Sequence, residues 1–465
     1  MRLRNNIGII IIIILFLCAN LIFLNFYDDV WWDSSVYIGM GKYIFSLGKS
    51  GLWEESRPLM FPLILGIGWK LGFDAVYFGR LVSVIFAILV IILTYKIGIK
   101  LFSRKIGLLA AFFTAFSYNF LFFSPNILTE IPSTFFVLLA FYYFLSNRFF
   151  LMGLFSGIAV MTRLFQIFTL IGLCLVLFFY SLRKPDFNKR LFYAALGFLL
   201  PIIPYFLLNH YLYNDLLLPF KTQSHLTRTT GWMLYEEYGF YFIGLLKENF
   251  FMVFLLNLPF FFKKNHKFTA LILMPLIYLS ILSVAKHKEM RFMLVILPFL
   301  YLLASYCLTK IYLKIKHKRF ALVFFYVLIA IWINMTFISF KDIVLYKYQR
   351  DDQGFLYFQN YLKNSKENVW ITNPSYALYS DGKIDGLLYF YSSDNLINFI
   401  GKNKGNVEII LFNSCDIPCP PAELDSLCKE SRKILQNIQS KLKKAYEKEI
   451  NSCKYEIYRK PISLI

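Results

Sequence analysis

The sequence has little charge for its length. Only 17% of its 465 residues are Asp, Glu, Lys or Arg, and 58% are hydrophobic, whereas a soluble domain averages about 25% charged residues. So much aliphatic and aromatic surface does not stay unfolded in water, which excludes intrinsic disorder. The apolar residues also come in long runs, many of them near the roughly 20 residues that cross a bilayer. The composition therefore predicts a polytopic α-helical membrane protein.

Acidic residues are especially scarce, with 28 Asp and Glu against 49 Lys and Arg, for a formal net charge of +21. Such an excess of cations can attract nucleic acid, but here the cations form short clusters between the apolar runs. Placing the N-terminus in the cytoplasm makes every inside loop basic, as the positive-inside rule requires. The charge thus indicates the lipid bilayer as a partner, and no nucleic acid.

Several common motifs are missing. The basic start and the apolar run to Phe26 resemble a signal peptide but lack a small-residue cleavage site, which predicts a retained first helix. No Gly-rich phosphate loop is evident. No internal repeat is evident either, although transporters often have repeated halves with their key groups at the bilayer midplane. A lipid-glycan flippase or transporter is nevertheless an alternative at this stage.

The apolar runs predict about eleven transmembrane helices. They lie near residues 7–26, 79–99, 106–122, 132–147, 149–162, 165–182, 191–212, 250–263, 268–285, 292–309 and 320–340. We therefore predict a transmembrane catalytic domain over residues 1–345, with two long outer loops at 27–78 and 213–249. The odd number of crossings places residues 346–465 outside the cytoplasm.

Residues 346–465 read as a small extracytoplasmic α/β domain. We predict strands at Asn368–Thr372, Val407–Asn413 and Lys454–Arg459, and a charged helix at Ala422–Lys448.

Four cysteines lie in this polar region, at positions 415, 419, 428 and 453. They could form two disulfides, as expected in an oxidising compartment, or a zinc site. The spacing suits zinc poorly, because only the first two lie within a few residues of each other. Disulfides are therefore favoured, in agreement with the predicted outer location.

Ionisable residues gather in four segments at the predicted outer ends of the helices: Tyr27–Tyr37, Glu54–Pro62, Ser124–Pro132 and Lys286–Phe292. Each has a simpler explanation, such as a hydrated loop, a surface ion pair, a carboxylate at a helix N-terminus or a basic turn. Together, however, they place acids and cations on one face of the membrane. Acids there could take a proton from a hydroxyl, and cations could stabilise a phosphate leaving group.

The same segments resemble the GT-C superfamily of membrane glycosyltransferases, which use polyprenyl-phosphate sugars. Trp32–Tyr43 is similar to their acidic first-loop motif, and Ser56–Pro62 to the Arg-Pro-Pro-Leu-Tyr-Pro stretch of protein mannosyltransferase-like and aminoarabinose-transferase-like members. Leu128–Pro132 resembles Leu-Thr-Asp-x-Pro, and Met161–Arg163 resembles Leu-Thr-Lys/Arg. The most specific match is His287–Phe292, which has the His-Lys-Glu-x-Arg-Phe motif of dolichol-phosphate-mannose-dependent mannosyltransferases.

The resemblance implies an inverting hexosyltransferase that moves a hexose, with mannose favoured, to a hydroxyl of a glycan, lipid or protein acceptor. Asp33 would be the catalytic base, with Asp29 and Glu130 as the other acids open to that role. Cations would hold the donor phosphate, and three further residues would orient the substrates. The phosphate-binding residues would be Arg57, Lys288, Arg291 and Arg163, and the orienting residues His287, Glu289 and Tyr37.

The resemblance leaves the metal requirement open, because some relatives bind a divalent metal and others need none. We predict no obligatory metal. A glycan ligase or polymerase with a diphosphate-linked donor is the nearest alternative enzyme. The expected location is the plasma membrane of an archaeon or bacterium, with a role in glycosylation of the cell envelope.

Overall fold

The computed structural model describes residues 6–24, 30–182, 185–229, 235–315, 318–346, 369–379, 381–388, 409–416, 427–450 and 452–460. Most of them are helical. In chain order the α-helices up to Tyr346 are α1 Ile7–Leu24, α2 Trp32–Phe45, α3 Met60–Lys70, α4 Ala75–Leu101, α5 Arg104–Phe116, α6 Tyr118–Phe123, α7 Glu130–Leu145, α8 Phe149–Thr162, α9 Gln166–Ser181, α10 Phe187–Tyr213, α11 Leu218–Thr229, α12 Phe240–Glu248, α13 His266–Val284, α14 Leu297–Lys314 and α15 Lys318–Tyr346. Two 3₁₀ helices, Phe250–Phe261 and Met290–Val295, interrupt this series.

The contacts divide the chain into two compact units. The helical unit consists of Met1–Asp28, Leu81–Leu216 and Glu236–Tyr348. The mixed unit combines Asp29–Arg80, Leu217–Tyr235 and Gln349–Ile465.

Among the described helices, α4, α10 and α13 are long and apolar enough to cross a membrane. A fourth span is obtained if α12 and the 3₁₀ helix Phe250–Phe261, which meet at an angle of 107°, count as one. The prediction of about eleven spans is not confirmed, because several of the predicted runs form helices too short for this criterion. For example, α7 and α9 have 16 residues each and α8 has 14.

In the helical unit, α8 and α10 approach each other closely through glycine. A Cβ atom added to Gly153 would lie 2.0 Å from the carbonyl oxygen of Ala194, and one added to Gly197 would lie 2.1 Å from that of Phe150. Small residues let helix backbones pack this closely in membrane proteins. This contact fixes α10 against α8, whose C-cap is the predicted site residue Arg163.

The mixed unit contains a five-stranded sheet in the order β2-β1-β3-β5-β4. Its strands are β1 Val369–Ile371, β2 Ile384–Leu387, β3 Ile409–Asn413, β4 Lys443–Ile450 and β5 Cys453–Arg459. The strand β1 pairs in parallel with β2 and β3, and β5 pairs antiparallel with β3 and β4.

The two faces of this sheet are covered by different elements, since side chains alternate along a strand. Val369 and Ile371 face a core that includes residues of α2. Trp370, between them, faces a second core, formed with the helix Leu427–Gln439.

The predicted strands at 368–372, 407–413 and 454–459 are confirmed as β1, β3 and β5. The prediction of a helix through Lys448 is wrong in its second half, because the helix ends at Gln439 and Lys443–Ile450 is β4. Pairing with β5 decides this: Lys444 Nζ lies 2.8 Å from Glu456 Oε1 on the neighbouring strand. A charge pattern that suits a helix is here overridden by tertiary pairing.

Cys415 and Cys453 form a disulfide that links the segment after β3 to the start of β5. Cys419 and the side chain of Cys428 lie outside the described residues.

We expect Gly197→Val to destabilise the helical unit, because the new side chain collides with the backbone of α8. Overpacking typically costs about 1–3 kcal/mol, and a clash with backbone falls at the upper end of this range. Thermal unfolding in detergent measures the effect. The control is Leu199→Val, at an exposed position of the same helix, which should unfold at the wild-type temperature. Equal stability of all three proteins would contradict the described packing.

Candidate active site

The first group of predicted site residues lies in the mixed unit, around Arg57. The guanidinium Nη2 donates to Asp33 Oδ1 at 2.7 Å, Nε donates to Glu54 Oε1 at 3.2 Å and Nη1 donates to Tyr37 OH at 3.3 Å. The Ser56 hydroxyl also donates to Glu54 Oε1. We name these five residues the Arg57 cluster. Its geometry fixes the guanidinium plane and, through it, the carboxylate of Asp33.

The helix α2 supplies two members of the Arg57 cluster. Asp33 lies in its first turn and Tyr37 one turn later, so both side chains lie on the same face. Next along this face comes Gly41, where an added Cβ would lie 2.7 Å from the carbonyl oxygen of Pro62 in α3. This close approach of α2 and α3 fixes both ends of the segment that carries Glu54 and Arg57.

The second group lies in the helical unit, around Glu130 in the first turn of α7. Arg163 Nη1 forms an ion pair with Glu130 Oε1, and Arg291 Nε lies 3.5 Å from the same oxygen. Arg291 Nη2 also lies 2.7 Å from Glu289 Oε1, which in turn lies 2.8 Å from His287 Nε2. We name these five residues the Glu130 cluster. A carboxylate that is only 3% exposed is thus shared by two guanidinium groups.

The Phe292 ring supports this cluster from one side. The Cζ atoms of Arg163 and Arg291 lie 4.8 Å and 5.5 Å from the ring centroid, within the range of a cation–π contact. The imidazole of His287 stacks on the same ring at a centroid distance of 5.6 Å.

Arg163 reaches Glu130 because α8 ends there. Arg163 is the C-cap of α8, with an extended backbone at φ −153°. The predicted junction between the apolar runs 149–162 and 165–182 is therefore a break in the helix that positions a cation.

Glu289 belongs to the connection between α13 and α14. Burial by itself raises its pKa, but the charge of Arg291 and the hydrogen bond from His287 lower it, and the net shift is downward. Glu289 is therefore ionised at neutral pH and holds Arg291 and His287 by charge.

Lys288 is buried and makes different contacts from its two neighbours. Its ammonium donates to the carbonyl oxygen of Glu236 and lies 5.6 Å from the centre of the Tyr238 ring. Asp29 lies outside the described residues.

The structure brings the predicted residues Asp33, Tyr37 and Arg57 into one cluster, and Glu130, Arg163, His287, Glu289 and Arg291 into another. The roles that we assign to them remain predictions.

Sequence reasoning missed two contributors. Glu54 is 7% exposed and holds Arg57; the sequence placed it in the segment Glu54–Pro62 but gave it no role. Tyr241 is fully buried, and its hydroxyl accepts a hydrogen bond from the backbone N–H of Glu289. No motif indicated it. No group of three or more His, Cys, Asp or Glu side chains that could hold a metal ion occurs among the described residues.

Comparisons with known proteins agree with the resemblance seen in the motifs. Residues 56–207 match the model of the dolichyl-phosphate-mannose-protein mannosyltransferase family. No curated protein sequence matches the chain.

Solved structures share the fold, and two of them serve as examples. One is ArnT from Cupriavidus metallidurans bound to undecaprenyl phosphate, with a TM-score of 0.68 and 11% identity over 98% of this chain and 99% of that chain. The other is the oligosaccharyltransferase AglB from Archaeoglobus fulgidus in complex with an inhibitory peptide and a dolichol-phosphate, with a TM-score of 0.63 and 12% identity over 98% of this chain and 74% of that chain. The predicted resemblance to the GT-C glycosyltransferases is thereby confirmed.

We expect Glu130→Gln to destabilise the protein, because it leaves two buried guanidinium groups without their shared countercharge. Removing one partner of a buried ion pair costs about 3–5 kcal/mol. Thermal unfolding in detergent is the measurement, and Glu237→Gln, the same change at an exposed position, is the control. An unfolding temperature for Glu130→Gln equal to that of the control would contradict the shared pairing.

The lowered pKa of Glu289 predicts that the stability of the protein depends on pH. Because its pKa is lowered on folding, its contribution is fully present above the unfolded-state value of about 4.3. The contribution is lost as the pH falls through the lower folded-state value. Unfolding temperatures below about pH 5 should therefore fall more steeply for the wild type than for Glu289→Gln. Parallel curves for the two proteins would argue against an ionised Glu289.

Proposed function

We propose that this chain, with the fold of the GT-C glycosyltransferases, is an inverting membrane glycosyltransferase. It moves a hexose, with mannose favoured, from a polyprenyl-phosphate donor to a hydroxyl of a glycan, lipid or protein. The observation that carries the proposal is the Glu130 cluster, in which two arginines share one buried carboxylate. Ionisable groups in a membrane protein are costly and mark functional sites, and paired guanidinium groups suit an anionic phosphate.

The arginines of the Glu130 cluster suit the leaving group of such a reaction. A guanidinium presents its donors in a planar fork that matches phosphate oxygens. Glu130 and Glu289 hold Arg163 and Arg291 in place before a donor arrives, so little reorganisation is needed as charge develops on the phosphate. We assign Arg163, Arg291, Lys288 and Arg57 to the donor phosphate, and His287 and Glu289 to orienting these cations or the sugar.

Asp33 suits the role of base. Its carboxylate accepts a hydrogen bond from Arg57 at 2.7 Å, and a carboxylate offers about four lone-pair positions. The bond to Arg57 therefore orients the carboxylate, and an ionised carboxylate can take a proton from a hydroxyl. Tyr37, on the same helix, also contacts this guanidinium. Asp29 is the other acid of this segment that we consider for the base, and we assign Glu130 to holding the arginines.

In the proposed reaction the acceptor O–H bond breaks and its proton passes to Asp33. The acceptor oxygen forms a bond to the anomeric carbon from the side opposite the phosphate. The bond between the anomeric carbon and the phosphate oxygen breaks, and polyprenyl phosphate leaves with the electron pair. One displacement inverts the anomeric configuration.

The lipid phosphate is supported by the relatives. The ArnT structure holds undecaprenyl phosphate, and the AglB structure holds a dolichol-phosphate together with an inhibitory peptide. These bound ligands favour a lipid-linked donor and a separate acceptor for this chain as well.

We propose further that the reaction has no obligatory metal, because the arginines supply the positive charge for the leaving group. Transfer should then survive excess EDTA. We also propose that the shorter apolar helices enter the bilayer, giving about eleven spans. In this topology the N-terminus is cytoplasmic and the C-terminal α/β part lies outside a bacterial or archaeal plasma membrane.

The test is sugar transfer by the purified protein in liposomes. Radiolabelled polyprenyl-phosphate mannose and glucose, and a diphosphate-linked glycan, are offered separately with a membrane glycolipid extract. We expect a labelled product and free polyprenyl phosphate from a monophosphate donor only. Consumption of the diphosphate donor alone would favour the ligase or polymerase. Movement of the lipid without transfer would favour the flippase.

We expect Asp33→Asn to lower kcat by about 10²–10⁴-fold, which is the usual contribution of a general base. The matched control is Asp186→Asn, at a half-exposed position outside both clusters where the carboxylate pairs with Arg190, which should keep the wild-type rate. Full activity of Asp33→Asn would reject Asp33 as the base and direct attention to Asp29.

A further inference from the structure

We propose that Lys42 is a positioning residue, which anchors the helix α2 to the C-terminal part of the mixed unit and thereby fixes the place of Asp33. This inference rests on the proposed function, since it concerns the residue assigned as the base. It makes the sheet of the mixed unit part of the catalytic apparatus.

The helix α2 presents two opposite faces to different partners. Asp33 and Tyr37 face Arg57. Ser35, Gly39 and Lys42 follow the i, i+4, i+7 spacing of a second face, which is rotated by about 200° from the first. All three residues of this second face meet the segment that contains the short helix Tyr376–Tyr379.

The contacts of this second face run in order along the helix. The Ser35 hydroxyl lies 3.3 Å from that of Ser375. A Cβ added to Gly39 would lie 3.2 Å from the Cβ of Ala377, so this glycine permits the close approach. At the far end, Lys42 Nζ donates to the carbonyl oxygen of Leu378 at 2.8 Å.

Lys42 makes the charged contact of this face. It is only 3% exposed, although lysine is almost never fully buried unless it is paired. Besides the Leu378 carbonyl, its ammonium lies 3.4 Å from Asp381 Oδ1, and Trp69 of α3 donates to the same oxygen. The ammonium therefore satisfies a backbone carbonyl of the short helix and connects this helix to α2. Asp381, which contacts both Lys42 and Trp69, extends the connection to α3.

The segment after α2 reinforces the anchor through backbone hydrogen bonds. Gly51 N–H donates to the carbonyl oxygen of Gly382 at 3.1 Å, and Ile384 N–H donates to the carbonyl oxygen of Gly51 at 2.8 Å. Gly51 has φ +78°, a conformation that favours glycine. The chain following α2 thus pairs with the start of β2.

A shared hydrophobic core completes the connection. Val36, Met40 and Leu52 pack with Val369 and Ile371 of the sheet. The helix that carries the proposed base is therefore built onto the sheet, although more than 300 residues separate them.

Anchoring at Lys42 controls Asp33 because a helix is stiff. The two residues are nine positions apart, or about 13 Å along the axis. A tilt of about 4° at one end then moves the other by about 1 Å, and a misplacement of that size can reduce a rate by about 100-fold.

The experiment compares Lys42→Met with Ile438→Ala. The methionine keeps the apolar stem and removes the donors. Ile438 lies in the core on the opposite face of the sheet, among Trp370, Leu435 and Tyr458. Shortening its side chain therefore destabilises the sheet but removes no contact of α2. Both proteins are assayed for kcat and donor KM in liposomes, and the amide hydrogen exchange of residues 35–45 is measured in detergent.

We expect Lys42→Met to lower kcat by about 10-fold or more with the donor KM changed less than about 2-fold, because positioning affects the displacement and not donor binding. Exchange in α2 should become faster. Ile438→Ala should change neither quantity. Should Lys42→Met not fold, Asp381→Asn removes the negative charge of the exposed partner of Lys42 and should show a smaller change of the same kind.

Unchanged kcat and unchanged exchange in Lys42→Met would overturn the inference. An equal loss of kcat in Ile438→Ala would also overturn it, since general destabilisation would then explain both results. If the wild type transfers no sugar, the proposed function fails. In that case hydrogen exchange alone tests the anchoring. Faster exchange of α2 in Lys42→Met, but not in Ile438→Ala, would support it.

Discussion

A buried carboxylate shared by two guanidinium groups is the constraint on which the site in the helical unit depends. Glu130 begins α7, Arg163 ends α8, and Arg291 lies in the 3₁₀ helix before α14. Three separate elements must therefore keep one geometry, because an uncompensated charge in a membrane protein is costly. The breaks at Arg163 and before α14 follow from the same requirement, since continuous helices would carry these cations away from Glu130.

In the mixed unit, too, charged side chains are held in place by several elements. Arg57 is held between the carboxylates of Asp33 and Glu54, and α2 is held in turn by the sheet and the short helix Tyr376–Tyr379. The acid proposed as base is thus oriented from both faces of its helix. Rigid support of this kind is what a group needs if it is to meet a substrate without rearrangement.

Both clusters gather charged side chains in a chain that has few of them. Apolar burial can hold the surrounding helices together but does not specify where a charged side chain points. Ion pairs and hydrogen bonds supply this direction, and Phe292 adds a surface that fits two guanidinium planes and an imidazole. Each cluster therefore combines charged groups with a specified geometry.

The sequence by itself indicated the membrane class, most helix positions, three strands and most of the residues that the two clusters contain, because hydropathy and short motifs are local properties. It did not determine that Lys443–Ile450 is a strand, since pairing with β5 overrides the local charge pattern. Nor did it indicate Glu54, Tyr241 or Lys42 as supports. Only the tertiary structure decided these points, because Glu289 meets Tyr241, and Lys42 meets Leu378, across long separations in the chain.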